Sequence, residues 1–150
     1  MREEIYEYLH DYGFSAIELD KIENENEEIF FTNISEVKKN ITFLEEKYLE
    51  SEDIINLIND NPFMLTEKNN RLEALDEIYN GVLRIDYESM KGLIRKNSET
   101  YTISPVELQK IIDYMKEQGY TIEVIREFIL KNSKVISMTS ENFIKALKKN

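Results

Sequence analysis

Apolar residues recur along the chain at helical spacing, and the clearest single unit is the stretch 51–66, SEDIINLINDNPFMLT. Ile54, Ile55, Leu57 and Ile58 form a wide apolar face with the 3.6-residue period of an amphipathic helix. Ser51 is a candidate N-cap, and Glu52 and Asp53 suit the positive end of the helix dipole. Asn61-Pro62 stops the helix, because the residue before proline disfavours helical backbone. Phe63, Met64 and Leu65 then make a short apolar plug, and Thr66 is a candidate cap for the next helix.

The same grammar runs through the rest. The pattern predicts a helix over 2–12 ended by Gly13, and a second opened by a Ser15/Glu18 capping box with Ile17, Leu19 and Ile22 on its apolar face. A plug at Ile29–Phe31 follows, then a third helix capped by Ser35 and carrying Val37, Ile41, Phe43, Leu44 and Tyr48. Further helices are predicted over about 67–82, after Asp86, after Ser104-Pro105-Val106-Glu107, after Thr121, and after Thr139 or Ser140, with Val135, Ile136 and Met138 as another plug.

Shifting Ile54, Leu57, Ile58 and Asn61 forward by 36 reaches Met90, Leu93, Ile94 and Asn97, and a further 35 reaches Ile125, Phe128, Ile129 and Asn132. Backwards by 35, Leu57, Asn61 and Leu65 fall on Ile22, Asn26 and Phe30. Leu72 and Leu75 map to Leu108 and Ile111, then to Phe143 and Ala146. The chain is about four copies of one pattern: a short helix, Asn, a plug, a cap and a longer helix. One copy cannot bury its own apolar face, so copies must stack. The expectation is an all-α fold in one helical-repeat domain spanning 1–150.

Leu9-x3-Gly13-Phe14-Ser15, the run FLEEKYLESEDIINLINDNPFMLT and the run KNSETYTISPVELQKIIDYM resemble repeats of the mitochondrial transcription termination factor (mTERF) family. The resemblance spans essentially the whole chain. It implies a right-handed α-solenoid whose concave side holds nucleic acid. Pro62 occupies the family's proline position, while Glu27, Ser98 and Ser133 stand at the other three.

Composition changes the functional expectation. The 150 residues carry 19 Lys+Arg against 30 Asp+Glu, a formal charge of −11. From 1 to 83 there are 7 basic and 21 acidic residues, net −14; from 84 to 150 there are 12 and 9, net +3. Long-range repulsion by the acidic part disfavours nucleic acid and anionic lipid. With no cysteine there is no disulfide and no thiolate metal site. The acidic N-terminus and the lack of a long apolar run suggest a cytoplasmic protein with no membrane segment.

No constellation for catalysis stands out, and neither a cofactor nor a small-molecule substrate is expected. His10, the single histidine, has no evident partner for acid–base or metal chemistry. A calcium loop begun at Glu23 places Glu28 where glycine is needed and Ile34 where a bidentate Glu is needed. Two binding surfaces are therefore expected. The first is an acidic face, Glu45, Glu46, Glu50, Glu52 and Asp53, meeting a basic protein partner, plausibly a nucleic-acid-binding protein inhibited by charge mimicry. The alternative is a phosphate-binding stripe in the second half. Lys91 maps to Arg126, Lys96 to Lys131 and Lys110 to Lys145 under a shift of 35; Arg95, Lys134, Lys148 and Lys149 extend it.

Overall fold

A computed structural model describes residues 2–149, and among these it contains nine α-helices and no strand. They are α1 (Arg2–Tyr12), α2 (Ala16–Glu25), α3 (Ile34–Glu45), α4 (Ser51–Asp60), α5 (Asn69–Asp76), α6 (Tyr87–Lys96), α7 (Pro105–Glu117), α8 (Ile122–Lys131) and α9 (Ser140–Lys148). The plugs form 3₁₀ turns at Glu27–Phe31, Pro62–Leu65 and Ser133–Ser137, and α5 runs on into a π-helix, Glu77–Val82. The backbone groups into two compact units, Met1–Asn69 and Asn70–Asn150.

The internal repeat is carried in the caps. The first helix of each repeat, α2, α4, α6 or α8, has ten residues between an N-cap at 15, 50, 86 or 121 and a C-cap at 26, 61, 97 or 132. Every C-cap is asparagine. Its backbone leaves the helical region, with φ between −126° and −146°, while its N–H still bonds the carbonyl four residues back. Its own carbonyl then accepts from the residue three ahead, Ile29, Met64, Thr100 or Val135, at 3.0–3.2 Å. Asparagine thus closes one helix and opens the tight turn that buries the plug.

Plug side chains are the core of each repeat. Ile29 and Phe30, Met64 and Leu65, and Val135 and Ile136 are all buried. The third repeat places Thr100-Tyr101 at this position, and the burial of their polar groups is answered locally: Thr100 Oγ1 donates to Asn97 O at 2.6 Å, Tyr79 Oη to Thr100 O at 2.6 Å, and Tyr101 Oη to Asp76 Oδ1 at 2.8 Å. The Tyr79 and Tyr101 rings meet edge to face at 5.6 Å.

Side chains of the longer helices reach the connectors of the repeat that follows. Asn40 of α3 donates through Nδ2 to Met64 O and Glu67 O at 3.0 and 2.8 Å. Arg71 of α5 donates to Ile103 O at 3.1 Å. Thirty-six residues on, Glu107 of α7 accepts from the Ser140 N–H and hydroxyl at 2.8 and 3.0 Å. Ser104 therefore makes only half of a capping box with Glu107. Ser104 Oγ accepts from Glu107 N, but the Glu107 carboxylate is used on the start of α9.

Four local expectations are corrected. Glu50 rather than Ser51 is the N-cap of α4, because the cap position of this repeat lies at 50. Asn33 caps α3, its Oδ1 accepting from the Ser35 N–H and hydroxyl. Thr66 closes the plug through its N–H to Phe63 O, and α5 starts three residues later. Ile17, Phe31, Phe63 and Tyr48, expected on apolar faces, are exposed; Tyr48 lies beyond the end of α3 with φ +61°.

Candidate interaction surfaces

The α3–α4 connector gathers the acidic candidates onto one turn. Glu45 ends α3, Glu46 is its C-cap, Glu50 caps α4, and Glu52 and Asp53 occupy the first turn of α4. Buried Leu49 pins the turn from inside. Glu45, Glu46, Glu50 and Glu52 are exposed and Asp53 is half-buried, its Oδ2 accepting from Glu50 N at 3.3 Å. The α4 dipole favours the carboxylates of Glu50, Glu52 and Asp53, whereas Glu45 and Glu46 stand at the negative end of α3, which disfavours them. The single cation within 45–53, Lys47, holds its Nζ 4.6 Å from the Phe43 ring. Glu45 also lies close enough to α1 to act on two phenols. Burial first, then the Glu45 charge, pushes Tyr8 above the ordinary tyrosine range and Tyr12 up to about 12.

The basic candidates are less available than their spacing suggests. Lys91 is mostly covered and lies 3.5 Å from Glu88. Lys110 is 3.6 Å from Glu107, and Lys145 bonds Glu141 at 2.9 Å. Arg126 Nη1 donates to Leu83 O at 3.0 Å, and its charge helps hold the Asp86 carboxyl below its usual range, after the larger effect of the Ser89 N–H. Arg95, Lys96 and Lys131 are exposed side chains in the last turns of α6 and α8, where a cation suits the helix dipole. Lys134, Lys148 and Lys149 are also exposed.

Apolar periodicity does not flag one further feature, although the repeat shift locates it. Lys96 and Lys131 each precede the C-cap asparagine, and the same position in the first two repeats holds Glu25 and Asp60. The helix-end charge inverts between repeats two and three. The charge split also follows the structural units: residues 1–69 hold 6 basic and 18 acidic residues, net −12, and residues 70–150 hold 13 and 12, net +1.

The described residues also form shallow clefts. One, about 570 Å³, is lined by Glu73, Asp76, Glu77, Asn80 and Gly81. Another, about 410 Å³, is lined by Tyr6, Glu7, His10, Asp11 and Ala16. Among the described residues no three His, Asp or Glu side chains are placed to hold a metal ion. Within 20–28, Glu23 is bound by the Arg2 guanidinium, which holds the Glu23 carboxyl below its usual range. No helix among the described residues is long and apolar enough to cross a membrane.

Compared with known proteins, residues 34–149 match the mTERF family model. No curated protein matches the chain.

Proposed function

Since this chain belongs to the mTERF family, we propose that it is a helical-repeat binding protein with no catalytic role, and that its acidic unit engages the basic surface of a protein partner. The observation that carries this reading is the α3–α4 turn, where five carboxylates fall within nine residues and four of them are exposed. Among the candidate cations, Lys91, Lys110, Arg126 and Lys145 already have a carboxylate or carbonyl partner within the chain. Association through such a face is steered by charge over roughly 8–10 Å at physiological salt. A partner that itself binds nucleic acid would be occluded, which makes the protein an inhibitor by charge mimicry.

Nucleic-acid binding is the second reading. It is usual in the family, and it is favoured by the equivalent, exposed Lys96 and Lys131 at the ends of α6 and α8. Capture of partners from lysate with the full chain, with and without nuclease and identified by mass spectrometry, separates the two. Protein capture that survives nuclease and falls with salt supports the first reading. Capture that nuclease abolishes supports the second.

A further inference from the structure

The second repeat is one residue longer than the first and third, and the extra residue can be located. From the position preceding each longer helix to the N-cap of the helix after it is 17 residues for Asn33 to Glu50, 18 for Lys68 to Asp86, and 17 for Ser104 to Thr121. All other cap positions keep the repeat on either side of this interval, so the insertion lies between Lys68 and Asp86. That interval contains the π-helix Glu77–Val82. In an α-helix each N–H reaches back four residues; in a π-helix it reaches back five, which takes up one residue without moving the ends. The Leu83 N–H donates to Ile78 O at 2.9 Å in this way.

Both ends of the segment are fixed by interactions of their own. On the near side, Asp76 accepts from the Tyr101 hydroxyl and Tyr79 Oη donates to Thr100 O. On the far side, Leu83 and Ile85 are buried, and Asp86 caps α6 by accepting from Ser89 N at 2.7 Å. Between these anchors Asn80 and Gly81 are exposed, and the nearest side-chain neighbour of a carbon added at Gly81 would be the Glu77 carboxylate arm, at 3.6 Å. Both exposed residues thus fall within the segment that holds the surplus residue.

We propose that Glu77–Val82 is a register joint: a stored residue that can be removed, returning the helix to α geometry and the repeat to 35 residues, without loss of the fold. The joint is the point at which the segment between Tyr79 and Asp86 can change length by one residue while the anchors stay in place. The test uses the full chain with Asn80 deleted, with Gly81 deleted, and with the exposed α7 residue Lys116 deleted as the control. Thermal unfolding and amide exchange over 77–85 are measured for each. The expected result is that at least one joint deletion unfolds cooperatively within about 3 °C of the parent or above it, while the control falls by more than about 10 °C. Exchange over 77–85 in that variant slows by at least about tenfold as four-residue hydrogen bonds replace the longer ones. The proposal is overturned if both joint deletions fall as far as the control, or if exchange in a folded deletion variant is unchanged or faster.

Discussion

Tyr48 and Arg84 lie 36 residues apart and are the two non-glycine residues with positive φ among the described residues, at +61° and +53°. Their repeat mates 35 residues before and after are Gly13 and Gly119, at +135° and +94°. Each of the four sits two residues ahead of a helix N-cap, at Ser15, Glu50, Asp86 and Thr121. The turn into the first helix of every repeat therefore demands a backbone that glycine adopts freely and tyrosine or arginine does not. Tyr48→Gly and Arg84→Gly should be neutral or stabilise by up to about 1 kcal/mol, relief of the left-handed backbone outweighing the greater unfolded-state freedom of glycine. Gly13→Ala should destabilise by more than about 1 kcal/mol. Its φ is unfavourable for alanine, and the new methyl would lie 3.0 Å from Ile55 Cδ1. Urea unfolding of the three variants measures this; a loss on Tyr48→Gly and Arg84→Gly equal to that of Gly13→Ala would refute it.

Asn97 and Asn132 occupy the same repeat position with different burdens. Asn97 is buried, its Nδ2 donates to Ser133 O and Ser137 Oγ at 2.9 and 3.0 Å, and its Oδ1 accepts from Glu99 N at 2.8 Å. Asn132 is exposed and donates to Phe128 O of its own helix. Asn97→Ala should cost about 2–4 kcal/mol, because three part-buried hydrogen bonds are lost at once from a buried side chain, and Asn132→Ala about 1 kcal/mol or less. Equal destabilisation in denaturant titration would mean that the bonding of Asn97 to the following plug contributes nothing.

Helix existence and repeat phase were legible because both depend on local spacing: Leu57 and Leu93 are buried at equivalent positions, as the periodicity required. Each mutated to Ala should cost about 2–5 kcal/mol, read by the same titration. Cap identity was less legible. Ser51 and Glu50 are both able to cap, and only the spacing to Ser15 and Asp86 selects Glu50. Local pattern could not reveal the π-helix, because Ile78 and Tyr79 fit either register. The basic stripe is less available than its spacing implies for a similar reason. Repeat shift places Lys91, Arg126, Lys110 and Lys145 on equivalent positions but carries no information on Glu88, Leu83 O, Glu107 and Glu141, which hold them.

Alkaline stability should depend on Tyr12. Its hydroxyl is buried with no protein hydrogen-bond partner, and burial together with the Glu45 and Tyr8 neighbours raises its pKa from 10 to about 12. A folded-state pKa above the unfolded value means that the native state holds the proton more tightly. The contribution is complete below pH 10 and is lost as pH rises from 10 through 12. Tyr12→Phe should be neutral or mildly stabilising at pH 7, since no hydrogen bond is broken, and should flatten the fall in stability between pH 10 and 12. Melting curves across that range would contradict this if the variant lost stability with the same slope as the parent.

Acid dependence should run the other way through Glu107. The Ser140 N–H first, then its hydroxyl, and Lys110 to a lesser degree, hold the Glu107 carboxyl below its usual range. A depressed folded-state pKa contributes stability that is present above the unfolded value, near 4.5, and is lost as pH falls through the lower folded value. Glu107→Gln should remove part of the acid slope below pH 4.5 and loosen the start of α9. Amide exchange at Ser140 measures the second effect directly, and unchanged protection there would show that the carboxylate is not needed for it.

Salt and charge reversal discriminate between the two binding modes. Glu45→Lys, Glu46→Lys and Glu52→Lys together reverse the exposed face of the α3–α4 turn while sparing Glu50, the α4 N-cap. Partner capture by this variant should fall by at least about tenfold with the helical far-UV spectrum retained, and the parent's association rate should drop as salt rises. Undiminished capture would remove the acidic turn from the mechanism. For nucleic acid, Lys96→Glu with Lys131→Glu is the decisive pair, because both side chains are exposed and neither is expected to disturb packing. Removing one lysine–phosphate pairing should flatten the log–log salt slope by about one unit. Net −12 on the first unit against +1 on the second opposes approach of a polyanion. The parent should therefore give no gel shift at micromolar protein and ~150 mM salt, its affinity falling short of the range of about 10⁻⁴ to 10⁻⁶ M typical of non-specific binding. A clear shift at that salt, abolished by the two reversals, would place nucleic-acid binding ahead of protein capture as the function of this chain.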